Sequence, residues 1–188
     1  MRPTVWAIAG MSGSGKSTLA ERLVREHGAS VLCTDDYYRP LGHLTFEERC
    51  AVNFDHPDAI DAELLAEHIG YLREGIAVEA RRYDFSRHTR HIGGHTVEPA
   101  PLVIVEGIFP LCYAAVRDLC DRTVFVDTPA HLCLERRIAR DVAERGRTRE
   151  EVEWRWAEHV YPSFQRYVRP FSELADTVLV GEGDVAFV

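Results

Sequence analysis

The sequence predicts an α/β fold: one domain in which a parallel sheet is covered by helices on both faces. Three observations predict it. Short, continuously apolar runs recur along the 188 residues, as strands buried on both faces do. Segments with apolar residues at helical spacing lie between those runs. Strands and helices therefore alternate, the order of a sheet built from crossover units.

The elements follow in chain order. Residues 4–9 (T-V-W-A-I-A) are the first buried strand, and residues 10–15 a glycine–serine turn. Residues 17–27 have helical periodicity, with Gly28 as a stop. Residues 30–33 are a second strand leading to Asp35. Residues 59–73 are amphipathic, with Ile60, Leu64, Leu65, His68 and Leu72 along one face. Asp58, after Pro57, reads as the cap or a first-turn acid of that helix, and Asp61 as another. The region 76–98 breaks the alternation and reads as a small β-hairpin inserted at the sheet's edge. Residues 102–105 and 123–126 are apolar strands ending in Glu106-Gly107 and Asp127. Residues 130–144 are a helix carrying Arg136, Arg137 and Arg140. Residues 149–168 are helical with a break at Pro162, so that 136–168 reads as an Arg-rich helical lid and the helix after it. Residues 177–180 are the last strand. No repeat or linker divides residues 1–188.

Composition narrows the function. Hydrophobic residues are 46% and charged residues 28%, ordinary for a globular domain. A net charge of −8 argues against a nucleic-acid or anionic-membrane surface. An anionic ligand must then be held by a local cationic site. The five cysteines are scattered without a C-x-x-C pair, as expected for buried free thiols in a reducing compartment. No apolar stretch is long enough to span a bilayer, and the start lacks a signal-peptide pattern. These features fit a cytoplasmic enzyme. The chain has 21 arginines, one lysine (Lys16) and one asparagine (Asn53), so those two survivors draw the eye.

Lys16 falls in G-M-S-G-S-G-K-S (Gly10 to Ser17), which matches G-x-x-x-x-G-K-[ST] between a predicted strand and helix. That is the context of a phosphate-binding P-loop, and it makes the fold P-loop NTPase-type. Gly10, Ser12, Gly13, Ser14 and Gly15 bring backbone N–H groups onto phosphates, Lys16 reaches the terminal ones, and Ser17 and Thr18 open the helix. Ser17 can ligate Mg²⁺. Glu106, at the carboxyl end of an apolar strand, is placed to hold Mg²⁺ or its water. Thr34 to Arg39 read T-D-D-Y-Y-R. Asp35 is first out of its strand and is the candidate proton acceptor for a hydroxyl, with Asp36 the alternative. The run Arg136 to Arg147 resembles a phosphate clamp, its bland alternative being a solvated face paired with Asp141 and Glu144. His88, His91 and His95 have loose metal-ligand spacing but read as an exposed loop.

In order, D-D-Y-Y, N-F-D-H-P-D-A-I-D, Y-D-F-S-R-H-T-R, V-E-G-I and R-R-I-A-R-D-V-A-E-R-G-R resemble the uridine–cytidine kinase family, relatives of phosphoribulokinase. The resemblance covers almost the whole chain. It implies transfer of the γ-phosphoryl of ATP, or of GTP, to the 5′-hydroxyl of a pyrimidine ribonucleoside, with Mg²⁺. It makes Asp35 the catalytic base and, with Ser17 and Glu106, part of the metal site. It makes Asp55 the acid that grips the ribose hydroxyls, Tyr83 and His88 the base-reading pair, and Phe85 the pocket lining. Arg137 and Arg147 match the substrate-side lid arginines, Arg140 and Arg145 the phosphate-side ones, and Asp184 a nucleotide contact. Arg155 stands where the family often has a glutamine near the substrate, Gly181 where it often has an arginine, and Arg81 where a proline is usual. The family is commonly tetrameric, so a homo-oligomer is expected; nucleic acid and membrane are not expected partners. A sister kinase, such as one acting on nicotinamide riboside, is the competing reading. A GTPase-like switch is the weaker rival, because the lone Asn and lone Lys do not form N-K-x-D.

Overall fold

The computed structural model describes residues 2–85 and 87–180, without the side chains of residues 90–92. Its strands are β1 (Thr4–Gly10), β2 (Ser30–Cys33), β3 (Val78–Asp84), β4 (Thr89–Val97), β5 (Leu102–Gly107), β6 (Arg122–Asp127) and β7 (Thr177–Val180). Five form one sheet in the order β2-β5-β1-β6-β7, with every pairing parallel. β3 and β4 pair antiparallel in a sheet of their own, packed beside edge strand β2 and the 3-10 turn Thr34–Tyr37 that follows it.

Alternation along each central strand explains why both faces are covered. Ile8, Ile104, Val124 and Val126 face α1 (Lys16–His27), where Leu19, Ala20 and Leu23 meet them. Val5, Ala7, Ala9, Val103, Val105 and Phe125 face the other way, into the larger core. There α3 (Ala62–Arg73) contributes Leu65, Ile69 and Leu72, and the helical segment after residue 149 contributes Trp156, Val160, Phe164 and Val168. Gly28 and Gly146 end α1 and α5 (Ala130–Arg145) in the left-handed conformation, at φ 63° and 65°.

The start of α3 corrects the sequence reading. Residues Pro57–Ala59 form a separate 3-10 turn, and His56 Nδ1 accepts the Asp58 N–H at 3.2 Å. Ile60 is extended and bridges to Tyr38; the Arg39 N–H donates to the Ala59 carbonyl at 2.7 Å and the Asp61 N–H to the Tyr37 carbonyl at 2.8 Å. Only then does the helix begin, with Asp61 Oδ1 accepting the Leu64 N–H at 3.3 Å. Asp61 is the cap, whereas the Asp58 side chain is 92% exposed beside His56. Asp61→Ala should therefore cost about 1 kcal/mol of stability, and Asp58→Ala much less. Urea unfolding midpoints of the two variants check this.

Four further differences matter. α2 (Phe46–Ala51) was not expected; a capping box starts it, with Thr45 Oγ1 accepting the Glu48 N–H at 3.3 Å and Glu48 Oε2 the Thr45 N–H at 2.8 Å. The 3-10 turn Pro110–Cys112 and α4 (Ala114–Arg117) are also additional. Pro162 does not break its helix. Wide π-type turns, Trp156–Val160 and Phe164–Val168, flank α7 (Tyr161–Ser163) and continue α6 (Arg149–Arg155) with helical dihedrals. Pro162 has no N–H for a normal turn, and the wider turns absorb the mismatch. All five cysteines are free, but only Cys133 is fully buried; the other four are half-buried.

Candidate active site

Parallel strands place their carboxyl ends on one edge, and ligands of such sheets bind there. β1 runs into the glycine–serine loop, β2 into Asp35, and β5 ends at Glu106-Gly107. Register brings these together: Glu106 lies opposite Ile8 of β1 on one side and Cys33 of β2 on the other. A cavity of about 720 Å³ opens at this edge, within the usual range for small-molecule sites. Ser12, Gly13, Ser14, Gly15, Lys16, Ser17, Thr18, Asp35, Asp55, Tyr83, Phe85, His88, Glu106, Arg137, Arg140, Arg145, Arg147 and Arg155 all line it. Gly10 does not. It ends β1, where an added Cβ would stand 2.5 Å from the Val126 carbonyl oxygen, so its role is to let the loop leave the sheet. Asp184 and Gly181 lie outside the described residues.

The phosphate end is built around the loop. Gly13 has φ 85°, and a Cβ there would collide with the Cys133 backbone of α5. Thr128 Oγ1 donates to the Ser14 carbonyl at 2.8 Å and ties the loop to the end of β6. Lys16 is buried, its Nζ donating back across the loop to the Met11 carbonyl at 2.9 Å. Burial pulls its pKa down, while Glu106 and Asp35 pull it back up. Ser17 Oγ donates to Glu106 Oε1 at 3.2 Å. Burial pushes the Glu106 carboxyl up, against the Lys16 charge, and Asp35 adds to the push. Among the described residues no group of three acidic, histidine or cysteine side chains could by itself hold a metal. Mg²⁺ suits this arrangement, since it is held by one or two carboxylates together with substrate phosphates and water. The oxygens of Ser17, Glu106 and Asp35 are the hard donors that ion takes.

At the far end the cavity is aromatic. Tyr83 packs on Tyr38, Phe85 and Phe54, with ring centroids 4.8, 5.1 and 5.9 Å away. The hydroxyl of Tyr83 is buried without a hydrogen-bond partner among the described residues, so a ligand is left to supply one. His88 stacks on Phe54 at 5.1 Å with 12° between the rings. Its backbone is left-handed, φ 51°, a conformation that must be held by its surroundings. His88 is buried rather than exposed, which corrects the loop reading. Burial, then the charges of Arg147, Arg155 and Arg49, push its pKa down to about 4. The imidazole is thus neutral near pH 7, with one nitrogen to donate and one to accept. His95 stands elsewhere, its Nε2 3.9 Å from Asp36 Oδ2.

The acids divide their labour. Asp36 accepts the Tyr83 N–H at 3.2 Å, so it anchors the hairpin to the turn after β2 instead of facing the cavity. Asp35 faces the cavity. Asp55 lies before Pro57, and Asn53 Oδ1 accepts its N–H at 3.0 Å, which gives the lone asparagine its role. Burial pushes the Asp55 carboxyl up and Arg137 draws it down. The arginines are spread along the cavity from the loop to the aromatic end. Arg137 Nη1 donates to Ser12 Oγ at 3.0 Å, and the Arg145 guanidinium lies 3.7 Å from the centre of the Phe85 ring. Arg147 and Arg155 share Glu151 Oε1, each at 3.2 Å. Phe54, Tyr38 and Asn53 line the cavity without having been assigned from sequence; all three sit inside the quoted motifs, within three positions of Asp35 or Asp55.

The cavity thus joins a glycine–serine loop and an aromatic chamber. The model of the phosphoribulokinase/uridine kinase family matches residues 5–186. The chain belongs to that family. Its members include a uridine kinase of Shewanella amazonensis, 44% identical over 179 residues, with 92% of this chain and 84% of the relative covered. A uridine kinase of Vibrio cholerae is 42% identical over the same length and coverage. Among solved structures, phosphoribulokinase from Rhodobacter spheroides superposes with a TM-score of 0.69 at 17% identity, covering 99% of this chain and 73% of that one. That likeness is one of fold. No helix among the described residues is long and apolar enough to cross a membrane.

Proposed function

We propose that the chain phosphorylates the 5′-hydroxyl of a pyrimidine ribonucleoside, uridine or cytidine, with ATP as donor. One observation carries the reading. Asp35 sits where its charge acts on Lys16 and Glu106 of the phosphate end and on Asp55 and Tyr83 of the aromatic end. A base between a phosphate cradle and a nucleoside-sized chamber is what phosphoryl transfer to a hydroxyl requires.

The steps follow from the residues. The loop N–H groups and Lys16 hold the β- and γ-phosphates. Bound Mg²⁺, held by Ser17, Glu106 and Asp35, would neutralise phosphate charge. Asp35 accepts the proton of the 5′-hydroxyl as its oxygen attacks the γ-phosphorus; the bond from γ-phosphorus to the bridging oxygen breaks and ADP leaves. Asp55 accepts hydrogen bonds from the 2′- and 3′-hydroxyls. Tyr83 and neutral His88 address the base edge, and Phe54 and Phe85 cover its faces. The cationic surround of Arg49, Arg147 and Arg155 disfavours a positively charged nicotinamide ring, which argues against the sister kinase.

ADP release screened across ribonucleosides tests the activity; release with neither uridine nor cytidine would refute it. Asp55 tests the pose. A carboxylate that loses one hydroxyl partner in a closed site rejects the deoxy substrate, here by on the order of 10²–10⁴ in kcat/KM for 2′-deoxyuridine against uridine. Asp55→Ala should damage uridine turnover and shrink that discrimination. If the variant keeps the ribose preference, Asp55 is not the ribose clamp.

A further inference from the structure

Asp141 is the fully buried carboxylate around which the cavity's arginines are arranged. It lies on α5 one turn after Arg137 and one turn before Arg145, so i,i+4 spacing brings both to it, and Arg140 adjoins it in sequence. Arg140 Nε and Nη2 each reach Oδ1 at 2.8 Å, Arg145 Nη1 reaches it at 3.4 Å, and Arg137 Nε stands 3.4 Å from Oδ2. The Asp141 backbone carbonyl accepts the N–H of Gly146 and, at 3.2 Å, that of Arg147. One residue thus hydrogen-bonds one guanidinium, holds two more within ion-pair distance and ties down the chain entering a fourth.

We infer that Asp141 is the positioning residue of the phosphate clamp: it holds Arg140 and Arg145 in the geometry that receives the donor's triphosphate, and draws Arg137, a substrate-side arginine by the family resemblance, against Ser12 of the loop. This rests on the nucleoside-kinase reading above. The physical need is clear. Three cations converge on one carboxylate beside a cavity that already carries Lys16, and they repel one another. Burial and then the Arg140 charge lower the pKa of Arg145, the mark of that crowding, while Asp141 opposes it. A single buried carboxylate offsets the repulsion without neutralising the clamp. Each guanidinium has five donors and gives Asp141 one or two, so others remain for phosphate oxygens. The grip is uneven in a useful way. Arg140 is held by two short contacts, whereas Arg137 is looser on Asp141 and also reaches Ser12 of the loop. Asp141 keeps the cations assembled before the ligand arrives, so little ordering remains to be done on binding.

The test compares D141N, which keeps the shape, with D141A, which does not. Both should raise the KM for ATP tenfold or more and lower kcat; the KM for uridine should rise less than that for ATP, since Asp141 reaches the nucleoside end only through Arg137 and through Arg145 on Phe85. E144Q, which removes an exposed carboxylate from the same helix, should leave all constants within twofold. Melting temperatures with and without saturating ATP read the clamp without turnover, even for a variant folded only in the cold. The rise given by ATP should shrink in both Asp141 variants while the rise given by uridine persists. If D141N keeps the parent's KM for ATP and only D141A is damaged, Asp141 serves packing and the inference fails. An ATP-induced rise as large in D141N as in the parent overturns it too. If the parent itself shows no rise with ATP, the kinase reading fails instead.

Discussion

Asp35→Asn should lower kcat by on the order of 10²–10⁴, the usual worth of a positioned base. Asparagine fills the same space and can still hydrogen-bond the 5′-hydroxyl, but it cannot take its proton. The KM for uridine should therefore change little, because Asp55, Tyr83 and His88 are untouched. Stability should hold or rise. Asp35 lies among acids, and its charge raises the pKa of Glu106, Asp36 and Asp55, so removing it relieves like-charge repulsion, against which stands the support it gives to buried Lys16 and to Arg145. A slow enzyme that melts no lower than the parent would separate a catalytic role from a structural one. If the loss appeared in KM alone, Asp35 would be a binding residue. Asp36 is a poor substitute for it as base, since its carboxylate is engaged by the Tyr83 N–H and lies beside His95.

The parts of this molecule that were legible in the sequence are those whose chemistry is local. A loop that must turn on glycine, reach phosphates with lysine and start a helix spells itself out in eight residues. Apolar strands covered on both faces do so as well, and β1, β2, β5, β6 and β7 fall where the runs predicted. The misplaced features depend on partners distant in sequence. Asp58 looked like a cap because Pro57 precedes it, yet Ile60 is taken up in pairing with Tyr38, and the helix cannot begin until Asp61. His88 looked exposed because its neighbours are polar, but Phe54, more than thirty positions earlier, covers its ring. Pro162 looked like a break because proline lacks an N–H; wider turns on both sides were an equally good solution.

Between these cases lie residues whose signal was present but unused. Thr45 and Glu48 carry the capping-box spacing, and α2 is short enough for that spacing to be its main advertisement. Asp141 stands at i+4 from Arg137 and i−4 from Arg145. An acid flanked in that way can be a solvated partner or a buried hub, and spacing alone leaves both open. Its full burial decides for the hub. The same distinction separates Asp35 from Asp36: adjacent residues of one type, sent by a single 3-10 turn toward the cavity and toward the hairpin.

Lys16→Met should cut kcat by on the order of 10²–10³, the cost of removing one preorganised charge from the transferring phosphoryl group. Methionine fills much the same volume, so the loop should keep its shape. The folded protein should not suffer, for a specific reason. Lys16 is buried and its charge is disfavoured there, as the downward push on its pKa shows, so an apolar side chain removes a desolvation penalty. Against this stands the loss of the hydrogen bond to the Met11 carbonyl, about 1 kcal/mol, and of the offset that Lys16 gives to Glu106. These terms oppose one another, and the melting temperature should stay near the parent's. ATP should raise that melting temperature less than in the parent, while uridine should raise it equally. Turnover within threefold of the parent would remove Lys16 from the phosphate site. A large fall in stability with turnover per folded molecule intact would make it a structural lysine, its bond across the loop mattering more than its charge.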